Sequence, residues 1–350
     1  MNIFSKGITP FLCGLAAAIA VLPGACVKEE TTTTNGDNKL QFDAWMSVHY
    51  PDAKSSGLGI YIIEDQPGAG EAVTDDDYFL FIRYTATDLD GNIGGTTEEN
   101  VAQQAGSYDT GTYYGPSIVL KNKWMTQAGI LDMLDGMKVG GTRKAIIPGW
   151  LNVALDDNED YSTAEEYLDN KTGSNAIYTL TLIDKTDDIY KWETDSLERY
   201  TDIHMNGVDS TMYGYYYQQL VAPSDTTTFP TDTTFYINYT GKLLNGKVFD
   251  TTVKDTAKFY GIYSSSTTYE PKLVTMKETY TSITIQSASS TSSEGSTTIS
   301  GFSYCLSKLK SHEKGVCAFY SGLGYSYSGS GNAVPKYAPL VFEIEVVDKP

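Results

Sequence analysis

Residues 239–252 read Tyr-Thr-Gly-Lys-Leu-Leu-Asn-Gly-Lys-Val-Phe-Asp-Thr-Thr, and this stretch decides the fold of the second half of the chain. Asn245-Gly246 is a strong signal for a tight hairpin turn, because both residue types tolerate the left-handed backbone that such a turn requires. Apolar residues lie on both sides of the turn, so two antiparallel strands are predicted. Phe249 and Asp250 follow on the return strand, where a carboxylate beside an aromatic ring needs a polar partner.

Further strand and helix signals extend this hairpin into an α+β pattern. β-branched and aromatic runs bounded by turn residues predict strands at 213–220, 233–243, 315–320 and 340–347. A short helix is predicted over 302–309. The Ser/Thr-rich stretch 279–298 has little apolar content and is expected to be a mobile insertion.

The first half of the chain repeats this order. Its predicted strands lie at 59–63, 78–87, 144–147 and 176–184, and its helix at 128–135. A second helix is expected at 162–170, since Ser162 and Glu165 have the spacing of a capping box. The two halves therefore read as a degenerate internal duplication.

The duplication sets the predicted domain boundaries. Residues 1–26 are interpreted as a signal peptide, 27–46 as a flexible tether, 47–187 as the first domain and 208–350 as the second. Between them, 188–207 places apolar residues on one face and charges elsewhere, which predicts an amphipathic linker helix.

The N-terminal residues are typical of an export signal. Lys6 precedes an apolar run at 8–22, which is shorter than the roughly 18 residues that span a bilayer. Small residues then lead to Cys26 and resemble a bacterial lipobox, in which this cysteine carries a lipid anchor; an ordinary signal peptide with an incidental cysteine is the alternative. The following 27–30 segment resembles an outer-membrane sorting signal, so we expect an outer-membrane lipoprotein that faces the periplasm or the exterior.

Composition excludes several classes of partner. The net charge is −19, and so acidic a chain is a poor partner for nucleic acid. Histidine and cysteine lack metal-ligand spacing, so no metal or other cofactor is predicted. Cys305 and Cys317 could form a disulfide or remain buried thiols, and both readings stay open. Two domains in one chain favour a monomer.

Five ordered segments of the second half resemble the FKBP-type peptidyl-prolyl isomerase family, over about residues 213–349. The 239–252 stretch resembles the family's Tyr-Thr-Gly…Gly…Phe-Asp-Ser element, and 298–302 its Val-Ile-x-Gly-Trp. Residues 325–327, 334–335 and 340–345 resemble its Tyr-Ala-Tyr, Ile-Pro and Leu-Val-Phe-Asp-Val-Glu.

The first half resembles the same family more weakly, over about 57–186. Met137 to Lys144 fits the family's Met-x-Val-Gly-x-x-x-Lys, but Gly94-Gly95 stands where Phe-Asp belongs, Gln127 and Ile130 replace the pocket Ile and Trp, and Asn152 stands at the pocket Tyr. The resemblance implies an α+β fold of two FKBP-like domains, each a twisted antiparallel sheet wrapped on a short helix. It also implies that the first domain keeps this fold but has lost its pocket.

The resemblance further implies prolyl cis-trans isomerisation of proline-containing polypeptides. Rotation about the X–Pro bond faces a barrier near 20 kcal/mol, which an apolar pocket lowers by favouring the twisted amide. Asp250 and Tyr327 would be catalytic: the first sets the electrostatics and the second donates a hydrogen bond to a substrate carbonyl. The residues that would line the pocket are Tyr239, Phe249, Ile299, Phe302, Val334 and Phe342. Ile283 and Ile285 are equal candidates for one further pocket position.

Two other functions remain open from the sequence. A non-catalytic chaperone or adaptor would use the same modules to bind extended chains without turning them over. A surface glycan binder is suggested by the anchor and by the 27 tyrosines.

Overall fold

The computed structural model describes residues 35–290 and 295–350, so the predicted signal peptide and Cys26 lie outside the described residues. Seven α-helices lie within these two ranges: α1 Gly36–His49, α2 Glu99–Ala105, α3 Ala128–Leu134, α4 Ala164–Asn170, α5 Ile189–His204, α6 Lys254–Phe259 and α7 Ser300–Leu306. None of the helices in these ranges is both long and apolar enough to cross a bilayer.

The strands of the first domain form one antiparallel sheet. They are β1 Tyr61–Gln66, β2 Phe79–Thr87, β3 Ile93–Thr96, β4 Ser117–Leu120, β5 Thr142–Ile147 and β6 Ala176–Thr186. Their order among the described residues is β1-β5-β6-β2-β3, and β4 pairs with β2 beyond the end of β3. Helix α3 packs on one face of this sheet, where Leu80, Ile82 and Leu180 are buried.

The second domain builds a larger antiparallel sheet. Its strands are β7 Ser210–Met212, β8 Tyr215–Val221, β9 Thr234–Leu243, β10 Val248–Thr251, β11 Lys272–Thr275, β12 Thr284–Ser287, β13 Ser296–Thr297, β14 Lys314–Phe319 and β15 Leu340–Val347. Across the described part of the chain their order is β13-β12-β11-β9-β15-β14-β8-β7, with β10 paired to β9. Helix α7 packs against the concave face of this sheet through Phe302, Cys305 and Leu306.

The two sheets share one topology. Strands β1, β5, β6 and β2 follow each other as β8, β14, β15 and β9 do, and each central hairpin carries the same hydroxyl pair. Thr85 and Thr96 are 2.8 Å apart in the first domain, and Thr240 and Thr251 are 2.9 Å apart in the second. The predicted α+β fold of two like domains is thereby confirmed.

Helix α5 joins the domains and contacts both. In the first domain Trp192 stacks on Phe81 with a ring separation of 4.1 Å. In the second domain Leu197 is fully buried against the outer face of the sheet, beside Val316 and Val341. The amphipathic helix predicted between the domains is therefore present, and it packs on each of them.

The chain departs from the predicted tether at residue 36. Instead of a flexible segment up to residue 46, helix α1 begins at Gly36 and buries Phe42 and Met46 in the first domain's core. Phe42 packs edge-on against Trp150 at 5.6 Å. The tether interpretation was wrong here because Phe42 and Met46, four residues apart, form an apolar stripe after the polar residues that suggested flexibility.

Two local predictions also need correction. Helix α4 begins at Ala164 rather than at 162, and its capping box is shifted by one residue, to Thr163 and Glu166. The insertion at 279–298, expected to be mobile, instead adds β12 and β13 to the sheet edge, because Ile283 is fully buried in the core. Of the two outcomes left open for Cys305 and Cys317, the structure shows buried free thiols.

Candidate active site

A cluster of aromatic rings lies between α7 and the concave face of the second sheet. Phe302 and Phe342 are 5.0 Å apart in an edge-to-face arrangement, and Tyr239 lies 5.2 Å from Phe302. Phe249 meets Phe342 edge-on at 5.7 Å. Such edge-to-face pairs are favourable contacts beyond the area they bury, so the cluster forms a rigid apolar floor.

Glycine at position 241 permits this cluster. A β-carbon on Gly241 would lie 2.7 Å from the Phe342 ring and 2.8 Å from the Phe249 ring, closer than atoms in contact tolerate. The middle of β9 therefore has to lack a side chain for these two rings to approach the strand. In the Thr240-Gly241 pair, the glycine therefore permits the packing of the two rings, while both residues belong to the hairpin.

One polar contact lies at the edge of the aromatic cluster. The Tyr239 hydroxyl donates a hydrogen bond of 2.7 Å to Oδ2 of Asp250, whose side chain is exposed. Burial, and then the Asp250 carboxylate, raise the pKa of Tyr239 far above its ordinary value. The phenol therefore remains a hydrogen-bond donor at physiological pH and holds the carboxylate at the edge of the apolar floor.

Most residues predicted for the site meet at this cluster. Phe302, Val334 and Phe342 are buried, with exposed fractions of 2%, 2% and 4%. Ile299 is half-buried at the N-cap of α7 and packs against the same cluster. For the further pocket position, Ile283 is buried within the core of this domain and Ile285 is half-buried against it, so both candidates stay open.

Tyr327 does not join this group. Its side chain is 66% exposed and faces the first domain, where it lines a cavity with Tyr78 and Tyr337. Tyr325, two residues earlier, packs instead against the hydrophobic core that contains the aromatic cluster, and burial, followed by Asp250, raises its pKa. The structure therefore adds Tyr325, which the sequence interpretation left out, to the candidate site.

A loop of the first domain, residues 107–116, contacts the second domain. The Tyr113 amide donates to the Asn332 carbonyl at 2.7 Å, and the Tyr113 ring packs against the core that contains Phe302 and Phe342. The Thr110 hydroxyl donates to the Gly261 carbonyl at 2.6 Å, and Lys247 donates to the Thr110 carbonyl at 2.7 Å. We call residues 107–116 the strap, because Thr110 and Tyr113 both bind it to the second domain.

Comparison with known families identifies the second domain. The sequence profile of the family described as FKBP-type peptidyl-prolyl cis-trans isomerase matches residues 226–347, which contain the whole aromatic cluster. The second domain is an FKBP domain. The family binds proline-containing peptides, so the cluster lies in a domain of a peptide-binding family.

Solved FKBP structures resemble the chain at low sequence identity. The three FKBP domains of wheat FKBP73 are 13% identical, with 83% of this chain and 94% of that chain covered and a TM-score of 0.29. A peptidyl-prolyl cis-trans isomerase of Pseudomonas syringae pv. tomato is 21% identical, with coverages of 45% and 91% and a TM-score of 0.30. The N-terminal domain of FKBP42 from Arabidopsis thaliana is 16% identical, with coverages of 40% and 93% and a TM-score of 0.28. No curated protein matches the sequence.

The first, FKBP-like domain differs from the FKBP domain at the position that corresponds to Asp250. Tyr84 stands on β2 as Tyr239 stands on β9, and Gly95 pairs opposite Ala86 as Asp250 pairs opposite Gly241. Gly95 has no carboxylate to accept the tyrosine hydroxyl. The first domain consequently lacks the Tyr–Asp contact that marks the site of the FKBP domain.

Proposed function

We propose that the FKBP domain catalyses cis-trans isomerisation of X–Pro bonds in polypeptide clients. The observation that carries this proposal is the 2.7 Å hydrogen bond from Tyr239 to Asp250 at the edge of the Phe249–Phe302–Phe342 cluster. An apolar floor with one fixed carboxylate at its edge suits a reaction that forms no covalent intermediate. The family match over residues 226–347 supports the same activity.

The chemistry follows from the nature of the barrier. The planar amide is stabilised by resonance, and rotation costs roughly 20 kcal/mol because this resonance is lost. Water stabilises the planar amide, which is more polar than the twisted one. A proline ring packed against Phe302 and Phe342 would remove the amide from water and so weaken this stabilisation of the planar form. Asp250 and the phenol of Tyr239 then supply fixed dipoles beside the rotating bond. Such groups accelerate rotation only to the extent that they bind the twisted amide more tightly than the planar one.

A protease-coupled cis/trans assay on a short Xaa-Pro peptide tests the proposal. Residues 27–350 should accelerate the slow phase, and Asp250→Ala should lower kcat/KM by about tenfold or more, since a charge-assisted hydrogen bond contributes roughly 1.5–3 kcal/mol. Asp255→Ala is the matched control, because Asp255 is an exposed carboxylate on the neighbouring helix α6. It should keep wild-type activity.

The melting temperature of each variant accompanies this assay. Asp250 is exposed, so its replacement should change stability little and leave a folded protein. A folded wild-type protein that does not accelerate isomerisation rules out the proposed activity.

A second candidate function is peptide binding without turnover. The observation in its favour is the closure of the site, where Phe302 and Phe342 expose only 2% and 4% of their surface. A client must displace neighbouring side chains before its proline reaches this floor. Binding of a fluorescent Xaa-Pro peptide without acceleration of its isomerisation would establish this function in place of the first.

We also propose that the protein acts in the bacterial envelope, on exported clients, through a lipid on Cys26. The support is the apolar run at 8–22, followed by small residues and the cysteine. Cys26→Ser should abolish incorporation of labelled palmitate and release the protein from membranes during fractionation. Label that persists in this variant would contradict the anchor.

A further inference from the structure

The first domain contains a cavity at the place that corresponds to the aromatic cluster of the FKBP domain. Tyr84 and Tyr178 are 6.0 Å apart there, as Tyr239 and Phe342 are 6.2 Å apart in the second domain. The cavity measures about 440 Å³. The prediction from sequence that the first domain had lost its pocket is therefore incomplete, since the residues changed but a cavity remains.

The walls of this cavity offer unused polar groups. The Tyr84 hydroxyl has no hydrogen-bond partner among residues 35–290 and 295–350, because Gly95 stands where the second domain has Asp250. Gln127 occupies the N-cap of α3 as Ile299 occupies that of α7, and its side-chain amide likewise has no partner in the described part of the chain. Both groups line the cavity and are available to a ligand.

The second domain closes one side of this cavity. Tyr327, Lys336 and Tyr337 form the wall that faces the first domain. The Tyr337 amide donates to the Ser326 carbonyl at 2.8 Å, and both residues have positive φ angles, 54° and 48°. Non-glycine residues adopt this conformation at a cost, so surrounding contacts hold the two ends of this loop in place.

The charge of the cavity is opposite to that of the chain. The protein has 44 acidic residues, yet no Asp or Glu lies in the wall of the cavity as the structure describes it. Lys336 is its one charged group, and it forms no ion pair with any residue that the structure places. Asp184, which shares the adjoining cleft with Lys336, instead accepts from Trp192 Nε1 at 2.8 Å. A ligand carboxylate would therefore supply the ion-pair partner that Lys336 lacks in the wall of the cavity.

We propose that this composite cavity is a second peptide site, which binds an acidic side chain next to an aromatic or aliphatic one in an extended polypeptide. Lys336 pairs with the carboxylate, Tyr84 and Gln127 bond the peptide backbone, and Ile82, Ile130 and Tyr178 contact the apolar side chain. The choice of a peptide as occupant rests on the proposed function of the FKBP domain, whose clients are polypeptides.

The test uses two fluorescein-labelled peptides without proline, so that the isomerase site is not their target. One reads Gly-Phe-Glu-Leu-Asp-Gly and the other Gly-Phe-Gln-Leu-Asn-Gly, and their anisotropy is measured with residues 27–350. The acidic peptide should bind at least tenfold more tightly. Lys336→Met should remove most of this difference, because it deletes the ammonium and keeps an unbranched apolar side chain.

Lys138→Met is the matched control. Lys138 is an exposed lysine of the first domain outside the cavity, so its replacement makes the same charge change and should leave the affinity unaltered. Gln127→Leu serves as an independent variant and should weaken both peptides. Equal affinity for the two peptides would overturn the proposal, and so would equal effects of Lys336→Met and Lys138→Met. Binding of a neutral oligosaccharide at Gln127, without binding of either peptide, would also overturn it.

The peptide-binding test of the composite cavity can fail or succeed independently of the isomerase assay on the FKBP domain. Acidic-peptide binding in a protein that does not accelerate Xaa-Pro isomerisation supports the composite site and contradicts the catalyst. Isomerisation by a protein that does not bind the acidic peptide supports the catalyst and contradicts the composite site. Amide chemical shifts near Gln127 and Lys336 should change on binding, and changes confined to residues 239–252 would count against this location.

Discussion

At the scale of single residues, side-chain direction separates two tyrosines two positions apart. Tyr325 packs on the hydrophobic core that contains the aromatic cluster, whereas Tyr327 turns toward the first domain and is 66% exposed. Between them Ser326 has a φ of 48°, and 326–328 forms a tight 3-10 turn, so the chain changes direction within the motif. A match to Tyr-x-Tyr cannot decide which ring points inward, because the decision depends on this one backbone angle.

This separation predicts different effects of removing each hydroxyl. Tyr325→Phe should lower isomerase kcat/KM several-fold, because the Tyr325 side chain lies beside Asp250 at the proposed site. Tyr327→Phe should leave it within twofold of wild type. The protease-coupled assay on both variants checks this, and the reverse pattern would restore Tyr327 to the catalytic role that the sequence suggested.

At the scale of elements, the strap extends from the first domain to the core of the FKBP domain that contains the proposed active site. Its contacts with the second domain include the packing of the Tyr113 ring and three hydrogen bonds, which Tyr113, Thr110 and Lys247 donate. Burial lowers the pKa of Lys247 and raises that of Tyr113. These contacts couple the site to a loop 130 or more residues away in the sequence, which no local pattern predicts.

Loosening the strap should open the site. Tyr113→Ala removes the ring that packs on the cluster, so kcat/KM for a short Xaa-Pro peptide should rise several-fold. Tyr108→Ala is the control, since Tyr108 belongs to the strap but stacks on Tyr114 at 5.5 Å. Its activity should equal that of wild type. An unchanged or lower kcat/KM in Tyr113→Ala would show that the strap does not obstruct the substrate.

At the scale of the whole molecule, a buried carboxylate connects the linker helix to the FKBP domain. Glu193 on α5 is fully buried, and it accepts hydrogen bonds from the amide and the hydroxyl of Ser321, at 2.5 and 2.7 Å. Burial raises the pKa of Glu193 to about 7, and the bonds from Ser321 oppose this increase only in part. The contact between α5 and the second domain is consequently sensitive to pH near neutrality.

The sign of this sensitivity follows from the raised pKa. The folded protein holds the Glu193 proton between the ordinary pKa of 4.5 and about 7, whereas the unfolded chain releases it. The contribution to stability is therefore complete below pH 4.5 and disappears as pH rises through 7, up to about 3 kcal/mol in all.

Urea denaturation at pH values between 5 and 8 measures this effect. The free energy of unfolding of the wild type should fall more steeply with pH than that of Glu193→Gln, which cannot ionise. Parallel pH profiles for the two proteins would show that Glu193 does not titrate in this range.

Sequence alone predicted the main elements of the FKBP domain and most of the residues that lie in the core around its aromatic cluster. The hairpin at 239–252, the helix near 302 and the strand at 340–347 follow from local turn chemistry and from alternating apolar residues. These signals act between neighbours in the chain, so they can be read without a structure. The shared order of elements along the two halves could be recognised because one pattern occurs twice in the sequence.

Only the tertiary structure decided which surfaces these elements share. It turned the expected tether into a helix, because Phe42 finds its partner Trp150 more than 100 residues away. It placed Lys336 of the second domain in the wall of the first domain's cavity and Tyr113 of the first domain against the core of the second. Such contacts depend on how two domains pack, and packing is a property of whole surfaces that no local stretch of sequence contains.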